Sequence, residues 1–364
     1  MATLKQIMRH YGPEYIKRFG DAMPDQHRKT IEAIVHCRTE HYGASLFRCG
    51  ECGHRHTVMR SCGNRHCPNC QGDKTHQWLS KRLSEQLPVN HFLITFTVPE
   101  AIRGFIRSHQ RQCYGAMFDA SSQTMKKLAR DDRFIGADLA GFFGVLHTWG
   151  RTLPYHPHIH YVVPAGAMTK ADGKWHPSRA DFFLPVRAMS KIFKAKFYDA
   201  MKKCGLASSI CADVWKQAWV VDCRMVGAGA RAIKYLAPYV FRVAISNSRI
   251  VKIEDRRVFF KYKKQQSNRW RTMSLEVMAF IHRFLQHVLP SGFMKIRYYG
   301  FMSPGSALSM QSVADCIERC AAAVVHAIRT ICIEPFVPRC DKCGGTFVYY
   351  ASILPVHLPF RGSG

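Results

Sequence analysis

Residues Phe47 to Gln71 crowd cysteine, histidine, glycine and arginine together and contain no long apolar run. A segment of this kind cannot be held by a conventional hydrophobic core, and its cysteines indicate what holds it instead. Cys49-x2-Cys52 is followed by Cys67-x2-Cys70, with fourteen residues between the pairs. Two such knuckles supply four thiolates to one tetrahedral Zn2+, each wrapping the ion through a tight turn. Four unligated thiols would leave a Gly-rich stretch with little to bury, so the metal is expected to serve as the core. The expected ligands are Cys49, Cys52, Cys67 and Cys70, with Cys62 and His66 inside the loop as substitutes.

Charge names the partner. Among 364 residues, 53 Lys and Arg against 25 Asp and Glu leave a net +28, an excess that calls for a polyanion, first of all nucleic acid. Arg48, Arg55, Arg60 and Arg65 on the zinc segment then predict a DNA-facing surface. A membrane partner is not expected, since the longest apolar stretch, Ala321 to Ile333, is interrupted by His326 and Arg329. The first residues lack an apolar export signal, which predicts a cytoplasmic protein in a reducing compartment. There, 15 cysteines, an odd number with several at two-residue gaps, point to metal rather than a disulfide framework.

Periodicity divides the chain into a helical N-terminal arm (1–44, broken at Gly12-Pro13 and Met23-Pro24), a zinc-binding module (45–75), an α+β region (76–265) and a mainly helical C-terminal region (266–364). Strands are predicted at His91 to Val98, Phe142 to Trp149, His158 to Val163 and Trp219 to Val226. Helices are predicted at Ile102 to Leu128, Met189 to Met201 and Ala228 to Ala237, the last entered through a glycine loop. A hairpin joins Val258 to Tyr262 with Trp270 to Met273, Ser274 caps a helix through Val288, and Gln311 to Ile331 forms a last helix. Cys340-x2-Cys343-Gly-Gly is half a metal knuckle with no second CxxC behind it.

Tyr155-His156-Pro157-His158-Ile159-His160 carries the chemistry. On a strand, His158 and His160 project from one face while Ile159 points into the core. Two converging imidazoles leave positions open on a divalent cation for a further ligand and a phosphate oxygen. If the flanking strands pair as a hairpin turning near Leu153, His147 lies opposite His160 and becomes the first candidate for a third ligand. His156, biased to extended geometry by Pro157, is the second. Tyr235 and Tyr239, four apart on a helix, share a face. A phenol near a polarised phosphodiester can attack phosphorus, with Lys234 and Arg242 holding phosphates. Pro238 predicts a kink or an end just before Tyr239. Trp149, Trp270 and Tyr298 are available for stacking on bases.

Taken together, Ser61 to Gln71 (SCGNRHCPNCQ), His91 to Pro99 (HFLITFTVP), His147-Thr-Trp-Gly150 leading into HPHIH, Tyr235 to Asn247 (YLAPYVFRVAISN) and Phe284 to Gly300 (FLQHVLPSGFMKIRYYG) resemble the IS91- and ISCR-type rolling-circle transposases of the HUH endonuclease superfamily. These stretches occur in the family's order and cover most of residues 45 to 300. The resemblance implies an antiparallel sheet bearing the histidines, flanked by helices that carry the tyrosines. His158 and His160 match the HUH pair, and Tyr235 and Tyr239 match the tyrosines of two-tyrosine members, which favours the IS91-like subgroup. It further implies a transposase that cuts and rejoins single-stranded DNA at insertion-sequence ends through a 5′-phosphotyrosine, using Mg2+ or Mn2+ at the histidines and structural Zn2+ at the cysteines. A plasmid replication initiator or relaxase would use the same chemistry. A non-catalytic zinc-ribbon DNA-binding regulator would leave the histidines idle and the tyrosines in the core.

Overall fold

The structure is a computed structural model and describes residues 2–179, 181–241, 244–264, 267, 269–320 and 338–356. Two helices open the chain, α1 (Leu4–Phe19) and α2 (Asp25–His36), followed by the hairpin of β1 (Ala44–Cys49) and β2 (Arg55–Met59) and by α3 (Gly72–Ser84). Next come β3 (His91–Thr97), α4 (Arg103–Ser108), α5 (Gln110–Ala129), β4 (Phe142–Trp149) and β5 (Tyr155–Pro164). A small hairpin, β6 (Gly166–Met168) with β7 (Trp175–Pro177), leads to α6 (Val186–Lys203), α7 (Asp213–Lys216), β8 (Val220–Met225) and α8 (Ala230–Phe241). The remainder holds β9 (Ile250–Glu254), β10 (Arg257–Lys263), β11 (Trp270–Glu276), α9 (Val277–Leu285), β12 (Ile296–Tyr299), α10 (Met310–Glu318) and β13 (Phe347–Ile353).

The central sheet has the order β12-β4-β5-β3-β8, and every pairing in it is antiparallel. Period-two alternation gives it two different faces. On one, Phe92, Ile94 and Phe96 of β3 and Ile159, Tyr161 and Val163 of β5 pack against α5 and against Met189, Phe193, Phe197 and Met201, spaced four apart on α6. Each fully buried side chain of this size contributes roughly 1.5–3 kcal/mol. Gly144 lies opposite Tyr161, and a Cβ there would meet the Tyr161 ring at 2.4 Å, so the close approach requires glycine. On the other face, Phe143, Val145 and Val162 are covered by Leu83 of α3 and by Ile233, Leu236 and Val240 of α8. That face continues, beyond Val145 and Val162, into the histidines.

A second core joins α1, α2 and α9 to β9, β10 and β11 through Leu4, Ile7, Ile31, Ile34, Val258, Phe260, Phe280 and Phe284. The N-terminal helices are therefore packed against the rest of the chain. Helix α1 runs straight through the expected break at Gly12-Pro13, because burial of Leu4, Ile7, Met8 and Tyr15 along one stripe outweighs the hydrogen bond that proline removes. Ser274 is not a cap: it sits in β11, where its hydroxyl accepts from Arg257, and the Glu276 carboxylate caps α9 at the Ala279 amide instead. Among the described residues, the stretch after residue 266 supplies three strands besides α9 and α10. One, β12, edges the central sheet, and another, β13, pairs with β1 in the order β13-β1-β2. Of the last helix expected from sequence, α10 is the described part and residues 321–331 lie outside the described residues. Among the described residues no helix is long and apolar enough to cross a membrane.

Candidate active site and metal centres

Strands β4 and β5 meet in the register His147↔His158 and Val145↔His160. The partner of His147 is thus His158, two residues from the expected His160, and a two-residue slip keeps every side chain on its face. The ladder shifts between His147 and Trp149, where His156 and Pro157 of β5 stand opposite the single residue Thr148; the bulge falls at the proline, which has no amide hydrogen for the ladder. Beyond the bulge, Leu153 takes the left-handed conformation (φ 67°), and His287 braces the turn with one ring nitrogen 3.3 Å from the Leu153 carbonyl and the other 3.3 Å from the Thr148 hydroxyl.

Within this frame His147, His158 and His160 each offer a nitrogen within 4.8 Å of the others. Their ring centroids lie 5.3 Å (His147 to His158), 4.6 Å (His147 to His160) and 4.8 Å (His158 to His160) apart. His158 donates Nδ1–H to the His156 carbonyl at 2.7 Å, and His160 Nδ1 pairs with the Thr95 hydroxyl at 2.8 Å from the neighbouring strand. Those bonds leave Nε2 of both rings for an ion. His156 contributes this carbonyl and is not among the three converging nitrogens. Burial, reinforced by the neighbouring imidazoles, drives His147 and His158 far below the ordinary histidine range and His160 to about 4, so all three imidazoles are neutral near neutrality.

The helix bearing the tyrosines is aimed by a glycine loop. Gly227 (φ 67°) and Gly229 (φ 81°) are left-handed, and a Cβ on Gly229 would meet the His91 ring at 2.7 Å. From there α8 lays Ala232, Ile233, Leu236, Ala237 and Val240 on the sheet and turns Lys234 and Tyr235 outward. Tyr235 is 50% exposed, and its ring stands perpendicular to that of His160 with centroids 6.3 Å apart. Tyr235 is therefore not a core tyrosine. Pro238 does not end the helix, which continues to Phe241 and carries the backbone of Tyr239 one turn further on. The Tyr239 side chain and Arg242 lie outside the described residues.

The cysteines form two groups, and they divide the expected quartet. Cys67 and Cys70 meet Cys62 and Cys37, at the end of α2, while Cys49 and Cys52 meet Cys340 and Cys343. The pairs are split because β1 and β2 carry the first knuckle away to a hairpin tip, whereas Cys67 packs into the second core. His66 is buried apart from both groups, its Nε2 accepting from the Leu289 amide. Cys37 escaped sequence reasoning because a lone cysteine after a helix carries no signal. Thr95 gave none either. The Cys52 amide, chiefly, lowers the Cys49 thiol to about 7.

Of the residues expected to face DNA, Lys234 is exposed, but Arg65 turns inward to the Phe293 carbonyl at 2.5 Å. Trp149 is buried, stacked on His147 (5.2 Å, 15°) beneath the Lys295 ammonium at 4.8 Å, and Tyr298 accepts from Trp78 within the α3 and α8 packing. Trp149 is closed to bases and Tyr298 is only partly exposed. Trp270 is 56% exposed, with the Lys263 ammonium 5.4 Å over its ring. Burial lowers Lys295 to about 7, a group that sequence reasoning missed.

Burial holds His287 at about 3, against an ordinary 6.5. An unfolded chain takes up this proton below pH 6.5 while the folded chain refuses it, so stability present above 6.5 is lost as pH falls towards 3. The slope is about 1.4 kcal/mol per pH unit. Urea midpoints between pH 7 and 5 will fall for the wild type and fall less steeply for His287→Gln.

Residues 141–309 match the family described as "Putative transposase", and residues 7–98 match that described as "Transposase zinc-binding domain". The chain is 38% identical over 368 residues to "Putative transposase y4qJ" of Sinorhizobium fredii (strain NBRC 101917 / NGR234), covering 93% of this chain and 92% of that protein. It is 25% identical over 361 residues to "Transposase for insertion sequence element IS801" of Pseudomonas savastanoi pv. phaseolicola, covering 89% and 83%. No solved structure matches the chain.

Proposed function

The chain belongs to the family of IS91-type insertion-sequence transposases, and from that premise we propose that it cuts and rejoins single-stranded DNA at the ends of its element through a 5′-phosphotyrosine. The observation that carries this reading is the half-exposed Tyr235 ring beside a triad of neutral imidazoles. A divalent cation such as Mg2+ or Mn2+, held by His147, His158 and His160, supplies Lewis-acid polarisation of the scissile phosphate. Neutral ligands leave such a cation its full charge, which an anionic phosphodiester complements.

The Tyr235 oxygen attacks phosphorus, the new O–P bond forms as the bond to the 3′-oxygen breaks, the phenolic proton leaves to solvent and the released 3′-oxygen takes one up. Because a phosphodiester is exchanged for a phosphodiester, a 3′-hydroxyl of target DNA reverses the step without an energy source. Tyr239, one turn away, gives the second end its own nucleophile. His158 and His160 are positioned by the His156 carbonyl and Thr95, and His147 by the strand pairing, so the three rings are preorganised for an ion.

Single-stranded element ends and target DNA are the partners of this reading, Lys234 and Trp270 its exposed contacts, and the cytoplasm its compartment. Cys37, Cys62, Cys67 and Cys70 hold the structural Zn2+. The test is incubation with labelled single-stranded oligonucleotides from the flanks of the encoding gene plus Mn2+. A covalent adduct is expected, and its absence in His158→Ala with retained binding locates the chemistry at the triad. Cleavage that persists when both Tyr235 and Tyr239 are phenylalanine overturns it. A non-catalytic regulator forms no adduct at all. For the grip, Trp270→Ala will weaken oligonucleotide binding by about 1–3 kcal/mol without altering the adduct formed at saturating DNA, measured by fluorescence anisotropy.

A further inference from the structure

The match to the transposase zinc-binding domain covers residues 7–98 and so includes at most two members of the group Cys49, Cys52, Cys340 and Cys343. We propose that these four thiolates bind a second structural Zn2+, which clasps the chain's C-terminal strand onto its N-terminal zinc module. The proposal stands independently of the tyrosine chemistry.

The two halves of the group are built alike although they lie almost three hundred residues apart. Each reads Cys-x-x-Cys-Gly, and each glycine is left-handed, Gly53 at φ 69° and Gly344 at φ 75°. In the first, the Gly53 amide donates to the Cys49 carbonyl (3.1 Å) and the Cys49 amide to the His54 carbonyl (2.8 Å). In the second, the Gly344 amide donates to the Cys340 carbonyl (2.8 Å) and the Cys340 amide to the Gly345 carbonyl (2.8 Å). The same two bonds at the same offsets curl each pair of sulfurs inward.

Strand pairing then sets the knuckles face to face. Cys49, the last residue of β1, pairs with Phe347, the first of β13, and the Gly50 amide reaches the Thr346 carbonyl at 3.1 Å. Cys49 Sγ lies 3.4 Å from Cys343 Sγ, and Cys52 Sγ 3.7 Å from Cys340 Sγ. A tetrahedral ion with Zn–S bonds of about 2.3 Å has an S···S edge of about 3.8 Å, so the spacing requires only a slight adjustment. The approach is tight: a Cβ on Gly345 would stand 2.8 Å from the Glu51 carboxylate and 3.0 Å from Cys49 Sγ. Four sulfurs meet on a three-stranded sheet whose strands leave Val58, Val348, Tyr349 and Tyr350 exposed, so apolar burial alone does not account for its cohesion.

Native mass spectrometry of the full-length protein will show two zinc ions per chain, falling to one in Cys340→Ser/Cys343→Ser. Thiol alkylation with peptide mapping of the wild type removes any dependence on how that variant folds. Cys52 and Cys343 are exposed as side chains, yet peptides carrying Cys49, Cys52, Cys340 and Cys343 will resist alkylation until a chelator is added. Alkylation of these peptides at the same rate with and without chelator overturns the proposal, as does an unchanged zinc content in a folded variant. Free labelling of Cys37, Cys62, Cys67 and Cys70 with protection of the other four would instead remove the first zinc assignment and leave this one standing.

Discussion

Replacing Tyr235 by phenylalanine will abolish the covalent protein–DNA adduct, lowering cleavage by at least about a thousandfold, while oligonucleotide affinity stays near that of the wild type. The substitution removes one oxygen from a side chain that is half exposed and outside the apolar stripe of α8, so the fold has little reason to change. The missing atom is the one that must reach phosphorus, and no water placed there restores a covalent link. Tyr239 is the internal comparison. Its backbone lies four residues on, a rise of about 6 Å along the helix. Adduct formation on a first-end oligonucleotide is therefore expected to survive Tyr239→Phe, with loss confined to the rejoining of two ends. An adduct that survives Tyr235→Phe and disappears in Tyr239→Phe would transfer the first cut to Tyr239. His158→Ala complements the pair, since it removes the adduct through the triad with both phenols intact.

The histidine site was legible because a strand alternates with period two, so HPHIH fixes the face of His158 and His160 without knowledge of the fold. His147 pairs two residues from the position a symmetric turn predicts, because such a turn takes no account of the bulge at His156-Pro157 or of Leu153 at positive φ. A two-residue slip keeps the face, whereas an odd one would send His147 to the other side of the sheet. The cysteine grouping was harder to read. Proximity in sequence favoured joining Cys49 and Cys52 to Cys67 and Cys70, whereas the pairing of β1 with β13 and the packing of α2 are long-range events that no local pattern encodes. One signal was present: Cys340-x2-Cys343-Gly repeats Cys49-x2-Cys52-Gly letter for letter at its fixed positions. Base-stacking candidates failed for the reason that aromatics usually do. Trp149 and Tyr298 have neighbours to pack on, and only Trp270, at the edge of a basic hairpin, was left outside.

Cys37→Ser will remove one zinc ion per chain and lower the thermal midpoint by more than Cys113→Ser does. Cys37 and Cys67 are each 1% exposed and sit among the side chains that join α1, α2 and α9, so an ion held there would lie inside a core. Loss of a thiolate weakens the site, leaves a hydroxyl buried in its place and frees three sulfurs that have no other partner of comparable strength. Since zinc bound by four thiolates contributes on the order of 10 kcal/mol to the folding of small domains, losing a large part of that exceeds the margin of most proteins. Cys113→Ser is the matched control. It also buries a hydroxyl in an apolar site, at 0% exposure beside Met201, but it belongs to neither group and leaves the zinc content unchanged. Counting zinc by native mass spectrometry separates the two arrangements directly. If one ion were shared by Cys49, Cys52, Cys67 and Cys70, Cys37→Ser would lose none and Cys49→Ser would lose the whole complement. With two ions, each variant loses one, and the losses add in the double variant.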